Sequence, residues 1–199
     1  MTVSWTAHRF SGGVLALDTA NTVVLRGDAE RSFDRFADPL EIARFAVAAT
    51  TFRVDELEGR ALAAPAPHAI ADKVLAIREA TDRLFRRGVA TGALAASDMA
   101  ELLKACADGL AGSGETFGPD APFGRSERPI AFEAALAVSA LSLMAADSLG
   151  RMRICPNCRW LFIDRSRNGS RLWCDMAVCG NRQKAKRHYN RRKEEVLDA

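Results

Sequence analysis

The chain has no apolar run long enough to cross a bilayer. Its longest charge-free apolar stretch, Ala134 to Ala146, has 13 residues, where a spanning helix needs about 20. Arg9 and Asp18 bracket only a short apolar patch near the start, with no secretory h-region and no small-residue cleavage site. These absences predict a soluble, cytoplasmic protein without membrane contact. Aromatic residues make up only 7% of the chain, with a single tyrosine, Tyr189. The three histidines, His8, His68 and His188, stand apart from one another. No HExxH, no phosphate-cradling glycine-rich loop and no nucleophile–base pairing occurs, so no enzymatic activity is expected, and an enzyme with its site in residues 1–150 is the lesser alternative. No internal repeat is visible. The apolar share of 48% is enough for a packed core in 199 residues, and the charged share of 27% argues against wholesale disorder.

The net charge of +3 conceals an asymmetry. Residues 1–150 hold 15 Lys and Arg against 20 Asp and Glu, whereas residues 151–199 hold 13 against 5. An acidic body thus carries a basic end, a distribution that suits a nucleic-acid-facing segment. Arginine outnumbers lysine in both parts, so that bias reads as genome composition.

Cysteine usage follows the same division. Cys155, Cys158, Cys174 and Cys179 fall within 25 residues of the basic end, spaced C-x2-C, 15 residues, C-x4-C. Nothing points to secretion, which disfavours a disulfide framework. The spacing predicts one structural Zn2+ held by four thiolates. Arg153, Arg159 and Arg182 are candidates to offset the charge of that set. Pro156-Asn157 favours a tight knuckle, and Trp160, Phe162 and Ile163 suit a strand. Asn168-Gly169 predicts a hairpin turn over 165–170, with Leu172-Trp173 returning to Cys174. Cys179 then opens a helix over 180–195. Knuckle, hairpin and ligand-bearing helix make a treble-clef finger. So small a module buries too little surface to fold without its metal.

The first 150 residues read as helices with short strands. Val14–Leu17 and Thr22–Leu25 are strand-like. Asp38-Pro39 starts a helix. A longer one over 69–87 carries the stripe Ile70, Val74, Ile77, Leu84 and Phe85. Ser97 or Asp98 caps another, with Cys106 as a small buried hydrophobe on its apolar face. Residues 109–124, rich in Gly and Pro, read as loop, and 130–149 as one helix. The fold class is therefore α+β: a mostly helical N-terminal α/β domain, residues 1–150, followed by the treble-clef finger, residues 151–199.

The terminal helix is basic nearly all round. Arg182, Lys184, Lys186, Arg187, His188, Arg191, Arg192 and Lys193 are the candidate nucleic-acid contacts, with DNA as the expected partner. Ala185 and Tyr189, four apart, are expected to face the hairpin, and Tyr189 to join Trp160, Phe162 and Trp173 in the finger's small core. RNA is the alternative partner. A lone finger reads a short site, so a homodimer is expected. Asp18 and Asn21 interrupt an apolar region. They form either an Asx-type turn or, with Arg78 and Glu79, a pocket for a small-molecule effector.

The segment Cys155–Lys193 resembles the bacterial CGNR zinc-finger family. The naming tetrapeptide stands as Cys179-Gly180-Asn181-Arg182, accompanied by Trp160-Leu-Phe, Ser166-Arg-Asn-Gly-Ser170, Trp173-Cys174 and His188-Tyr189. The preceding part is similar to the ABATE domain at Gly13, at Leu15–Thr22, at Asp38-Pro-Leu40 and at Arg78-Glu79. The resemblance implies a stress-linked transcription regulator with an α+β N-terminal domain, and it implies strands within 109–124.

Overall fold

The structure is a computed structural model that describes residues 2–118, 122–123 and 128–197; of residues 146, 147, 187, 188 and 192–197 it describes the backbone alone. After a 3-10 turn at Ala7–Phe10 comes α1, Leu15–Ala20, followed by an antiparallel pair of two-residue strands, β1 (Val23–Val24) and β2 (Phe33–Asp34). Helix α2 (Leu40–Phe52), strand β3 (Leu62–Ala63) and the long helices α3 (Pro67–Thr91) and α4 (Ala96–Leu110) complete the first half. Strand β4 (Ile130–Ala131) pairs in parallel with β3 and leads into α5, Phe132–Ser142. A short helix α6 (Ala146–Arg151) precedes the antiparallel hairpin of β5 (Met152–Ile154) and β6 (Leu161–Ile163). A single π turn, Met176–Gly180, then starts α7, Asn181–Leu197.

Local signals account for the start of α2 and both ends of α3, whereas α4 starts at Ala96 without a side-chain cap and takes the expected caps Ser97 and Asp98 into its first turn. The Asp38 carboxylate accepts from Leu40 N at 2.9 Å and its carbonyl from Glu41 N at 3.0 Å, which fixes the first turn of α2. Pro67 sits in the first turn of α3, and Gly92, at φ +76°, closes that helix with its N–H on Gly88 O. Val74, Ile77, Leu84 and Phe85 of the expected stripe are fully buried, with Ile70 packed at the edge. Cys106 is buried against Ala137 O, and burial pushes its thiol up to about 11. The scarce aromatics are concentrated: Trp5, Phe10, Phe36 and Phe132 all lie within 5.9 Å of the Phe45 ring, centroid to centroid.

Within residues 1–150, three elements differ from the sequence reading. Val14–Leu17 is not a strand; Leu15–Ala20 is a helix buried on every side. A four-residue apolar run cannot separate the two by periodicity. The helix forms because distant groups satisfy its first amides. Leu15 N donates to Glu56 at 2.8 Å, Ala16 N donates to Ser139 Oγ at 3.0 Å, and Ser139 donates to Glu56 in turn. The span 130–149 is not one helix. It breaks at Leu143–Ala145, where i−3 bonds replace the α ladder and Ser142 Oγ donates to Ser139 O. Residues 109–118 carry no strand, and Gly109 lies inside α4 rather than in the loop; residues 119–121 and 124–127 lie outside the described residues.

Gly109 marks a close helix crossing. A β-carbon there would stand 2.7 Å from Ile77 Cδ1 and 3.1 Å from Glu133 O, a backbone atom of α5. Gly109→Ala is therefore expected to destabilise by about 1–3 kcal/mol through overpacking, although alanine is the better helix former. Urea unfolding checks this, and a stabilised variant would contradict it.

The β5–β6 hairpin is shared between core and finger. Met152 and Leu161 belong to the main core, with Ile154 and Ile163 packed against it, while Phe162 points the other way into the cysteine cluster. This is the period-2 alternation of a strand with two buried faces.

Candidate functional site

The hairpin's turn is the knuckle. Cys155 follows β5, and Arg159 N donates to Cys155 O at 2.8 Å while Cys155 N donates to Trp160 O at 2.9 Å. The turn closes through Arg159 at φ +65°, an unusual conformation for a residue with a β-carbon. The loop after β6 returns the chain to the cluster. There the Asp164 carboxylate accepts from Ser166 N at 2.9 Å and from Arg171 N at 2.7 Å, and the Ser166 contact foremost holds it down to about 2. Gly169, at φ +59°, makes the turn. The expected return strand at Leu172-Trp173 is absent, because Arg171 N is spent on Asp164 rather than on a ladder, and the Arg171 side chain donates to the carbonyls of Trp173 and Cys174. The knuckle sits in the β5–β6 turn itself, upstream of the Asn168-Gly169 turn.

The four sulfurs converge. Cys155, Cys158, Cys174 and Cys179 place their Sγ atoms within 4.8 Å of one another, with the Cys158–Cys174 pair at 3.4 Å and the Cys174–Cys179 pair at 3.6 Å. Tetrahedral thiolates around one Zn2+ at about 2.3 Å stand about 3.8 Å apart, so the set fits one such ion. Cys155, Cys174 and Cys179 are fully buried. Hydrogen bonds from the Cys158 and Cys174 thiols pull the Cys155 thiol far down, and contact with Cys155 pushes both partners far up. Metal binding must therefore expel protons from the cluster, which makes affinity rise with pH. Four sulfur ligands leave no position for substrate or water, so the metal these residues would hold is structural.

Arg153 donates to the carbonyls of Gly150, Met152 and Gly169, and Arg182 is exposed at the start of α7. Arg159 offers its carbonyl, not its guanidinium, to Arg86. Arg35, from the segment after β2, lies 5.5 Å over the Trp160 ring; burial first, then the Arg9 charge, brings Arg35 down to about 10. Asn157 Nδ2 donates to Cys179 Sγ at 3.3 Å, and Gln183 Nε2 donates to Asn157 Oδ1 at 2.8 Å. That chain joins knuckle, ligand and first turn of α7, an outer-shell device of the kind that orients metal ligands. Asp175 caps the π turn through Val178 N at 3.1 Å and meets His8 Nδ1 at 2.9 Å; His8 in turn stacks on Trp160. Asp175 was legible as a helix-capping type immediately before the apolar segment Met176-Ala-Val178. His8, Arg35 and Asn157 carried no sequence signal for these roles.

The terminal helix presents Arg182, Lys184, Lys186 and Arg191 to solvent. The side chains of Arg187, His188, Arg192 and Lys193 lie outside the described residues. Ala185 and Tyr189 do not face the hairpin: both are exposed, Tyr189 by 69%. The finger core closes without them, on Trp160, Phe162 and the cysteines, with Trp173 partly packed.

Each of the four candidate effector residues has partners within the protein. Asp18 is buried, accepting from Gly12 N at 2.8 Å and from Arg53 at 2.5 Å. Asn21 clamps the finger's β6 to the body: its Nδ2 donates to Leu161 O at 2.8 Å and its Oδ1 accepts from Leu161 N at 2.9 Å. Arg78 pairs with both oxygens of Asp34 at 2.7 Å, which ties α3 to β2. Glu79 receives Arg26 and Arg78. Further contacts join body and finger, with Ile163 N on Gly12 O and Arg165 on Gly13 O. No helix among the described residues is long and apolar enough to cross a membrane.

Residues 151–192 match the family model of the CGNR zinc finger. No curated protein and no solved structure matches the chain.

Proposed function

We propose that the chain is a cytoplasmic, DNA-binding transcription regulator of bacterial type. A structural Zn2+ organises a treble-clef CGNR finger, and α7 lies along the phosphate backbone of a duplex. The carrying observation is the link between the cysteine cluster and the cations of α7. Exposed Arg182, Lys184, Lys186 and Arg191 stand on a helix whose first turn is hydrogen-bonded, through Gln183 and Asn157, to the ligand Cys179. Such a helix repels itself unless it meets anions. Residues 1–150, ABATE-like, serve dimerisation or effector sensing rather than catalysis, in keeping with a stress-linked role. RNA is the second reading, favoured by the exposed Tyr189 ring, which is free to stack on an unpaired base.

Selection from sheared bacterial genomic DNA at two salt concentrations tests the proposal. Zinc-loaded protein is expected to enrich particular sequences reproducibly. The variant Lys184→Ala/Lys186→Ala/Arg191→Ala is expected to lose that enrichment while keeping its thermal midpoint. With about five phosphates neutralised, log K falls against log salt with a slope of about −4 to −5, and the variant's slope is shallower by about 2 to 3. Equal retention of all fragments, or a preference for structured RNA over duplex, would overturn the DNA reading.

A further inference from the structure

A cavity of about 450 Å3 opens beside the C-terminal half of α3, and we infer that it binds a phosphate group. Arg26, Arg83, Arg86 and Arg87 line it together with Glu79 and Asp82. Four guanidinium groups stand against two carboxylates in the wall itself, and the acid partners of the other two arginines, Glu101 and Asp98, lie outside it on α4.

The carboxylates hold two of the arginines in place. Arg26 grips Glu79 with both terminal nitrogens, at 2.5 and 3.1 Å, and its Nε stands 3.3 Å from Asp82. Arg86 grips Asp82 at 2.7 and 3.0 Å. Both guanidinium planes are thereby fixed on the inner wall. Arg83 and Arg87 are held only weakly. Their side chains are 54% and 61% exposed, and their partners Glu101 and Asp98 lie on α4, with the Arg87–Asp98 contact at 3.4 Å. The Arg83–Glu101 pair, 54% exposed on both sides, exchanges readily for a better acceptor, whereas Asp98 is buried and holds Arg87 only at its long contact. Two pre-fixed forks and two weakly held ones suit the several oxygens of a phosphate. Arg86 also donates to Arg159 O at 2.8 Å, so the cavity is one hydrogen bond from the knuckle between Cys158 and Trp160. The phosphate comes either from a free phosphorylated molecule or from bound nucleic acid. The inference goes beyond DNA binding by α7 and stands without it.

Calorimetric titration of the zinc-loaded full chain with inorganic phosphate and with ribose 5-phosphate tests it. Saturable 1:1 binding is expected. Arg83→Ala, whose partner Glu101 is exposed, should weaken it at least tenfold while leaving the thermal midpoint in place, and Lys184→Ala/Lys186→Ala on α7 should leave it intact. Absence of saturable binding, equal binding of succinate, or loss through the α7 variant in place of the α3 variant would overturn the inference. A repeat with saturating duplex DNA separates the sources. Retained binding assigns the cavity to a free phosphorylated ligand, and lost binding assigns it to a phosphate of the nucleic acid.

Discussion

Stripping the metal, or replacing Cys174 by Ser, is expected to melt everything after β6 while the body stays folded at reduced stability. The finger's own core is thin: Cys155, Trp160, Phe162, Cys174 and Cys179, with Cys158 and Trp173 at its edge. Four of those seven residues are the cysteines placed to hold a metal ion, so on the proposed reading metal–sulfur bonds take the place of apolar burial. Structural Zn2+ contributes on the order of 10 kcal/mol or more to such modules, which is comparable to the whole stability of an ordinary domain, about 5–15 kcal/mol. The strands β5 and β6 have independent support. Met152 and Leu161 sit in the main core, and Asn21 holds both backbone groups of Leu161. The expected products are loss of helical signal from the 17 residues of α7 and new protease cuts in 165–180, with the body surviving as a fragment. Because the free cluster keeps thiol protons, zinc affinity should also weaken steadily on acidification. A metal-free chain whose α7 resists protease would contradict this.

Arg53→Ala is expected to cost about 3–5 kcal/mol, the usual consequence of leaving a buried charge without its partner. The Asp18 side chain is fully buried, and Arg53 is 12% exposed. Arg53 also donates to Phe10 O and lies 4.0 Å from Glu56. Burial pushes the Asp18 carboxyl up to about 6, against the opposing charge and hydrogen bond of Arg53. Its folded pKa thus exceeds the unfolded value, and the sign follows. The folded state binds the extra proton, so stability from this group is present at acid pH and lost as pH rises through about 6. Removing Arg53 raises that pKa further, so the variant should recover part of its deficit between pH 7 and pH 5. Asp18→Asn in the Arg53→Ala background should recover part of it at neutral pH. Urea unfolding at both pH values checks the claim. A deficit under about 1 kcal/mol, the ordinary worth of a surface pair, would contradict it.

The cysteine cluster was readable because four ligands of one type at fixed spacings have few other uses. The periodic helices were readable because Val74, Ile77, Leu84 and Phe85 recur on one face. Short segments were not. Leu15–Ala20 became a helix because Glu56 and Ser139, 41 and 123 residues away, satisfy its first amides. The return strand failed because Asp164 captured Arg171 N. Tyr189 faces solvent because the metal core closes on Trp160 and Phe162 without it. Asn21 could be read as a turn residue or as a pocket residue. Its clamp on Leu161 joins positions 140 apart, and no local pattern encodes such a partner.

The most direct test of the central claim, a metal-built finger that presents α7 to DNA, is fluorescence anisotropy with labelled duplex. The full chain would be titrated zinc-loaded, metal-stripped and zinc-restored, at fixed salt. The account predicts tight binding in the loaded state, a loss of at least tenfold on stripping, and full recovery on restoring zinc. Equal affinity in all three states would show that α7 binds, if at all, as a loose basic tail.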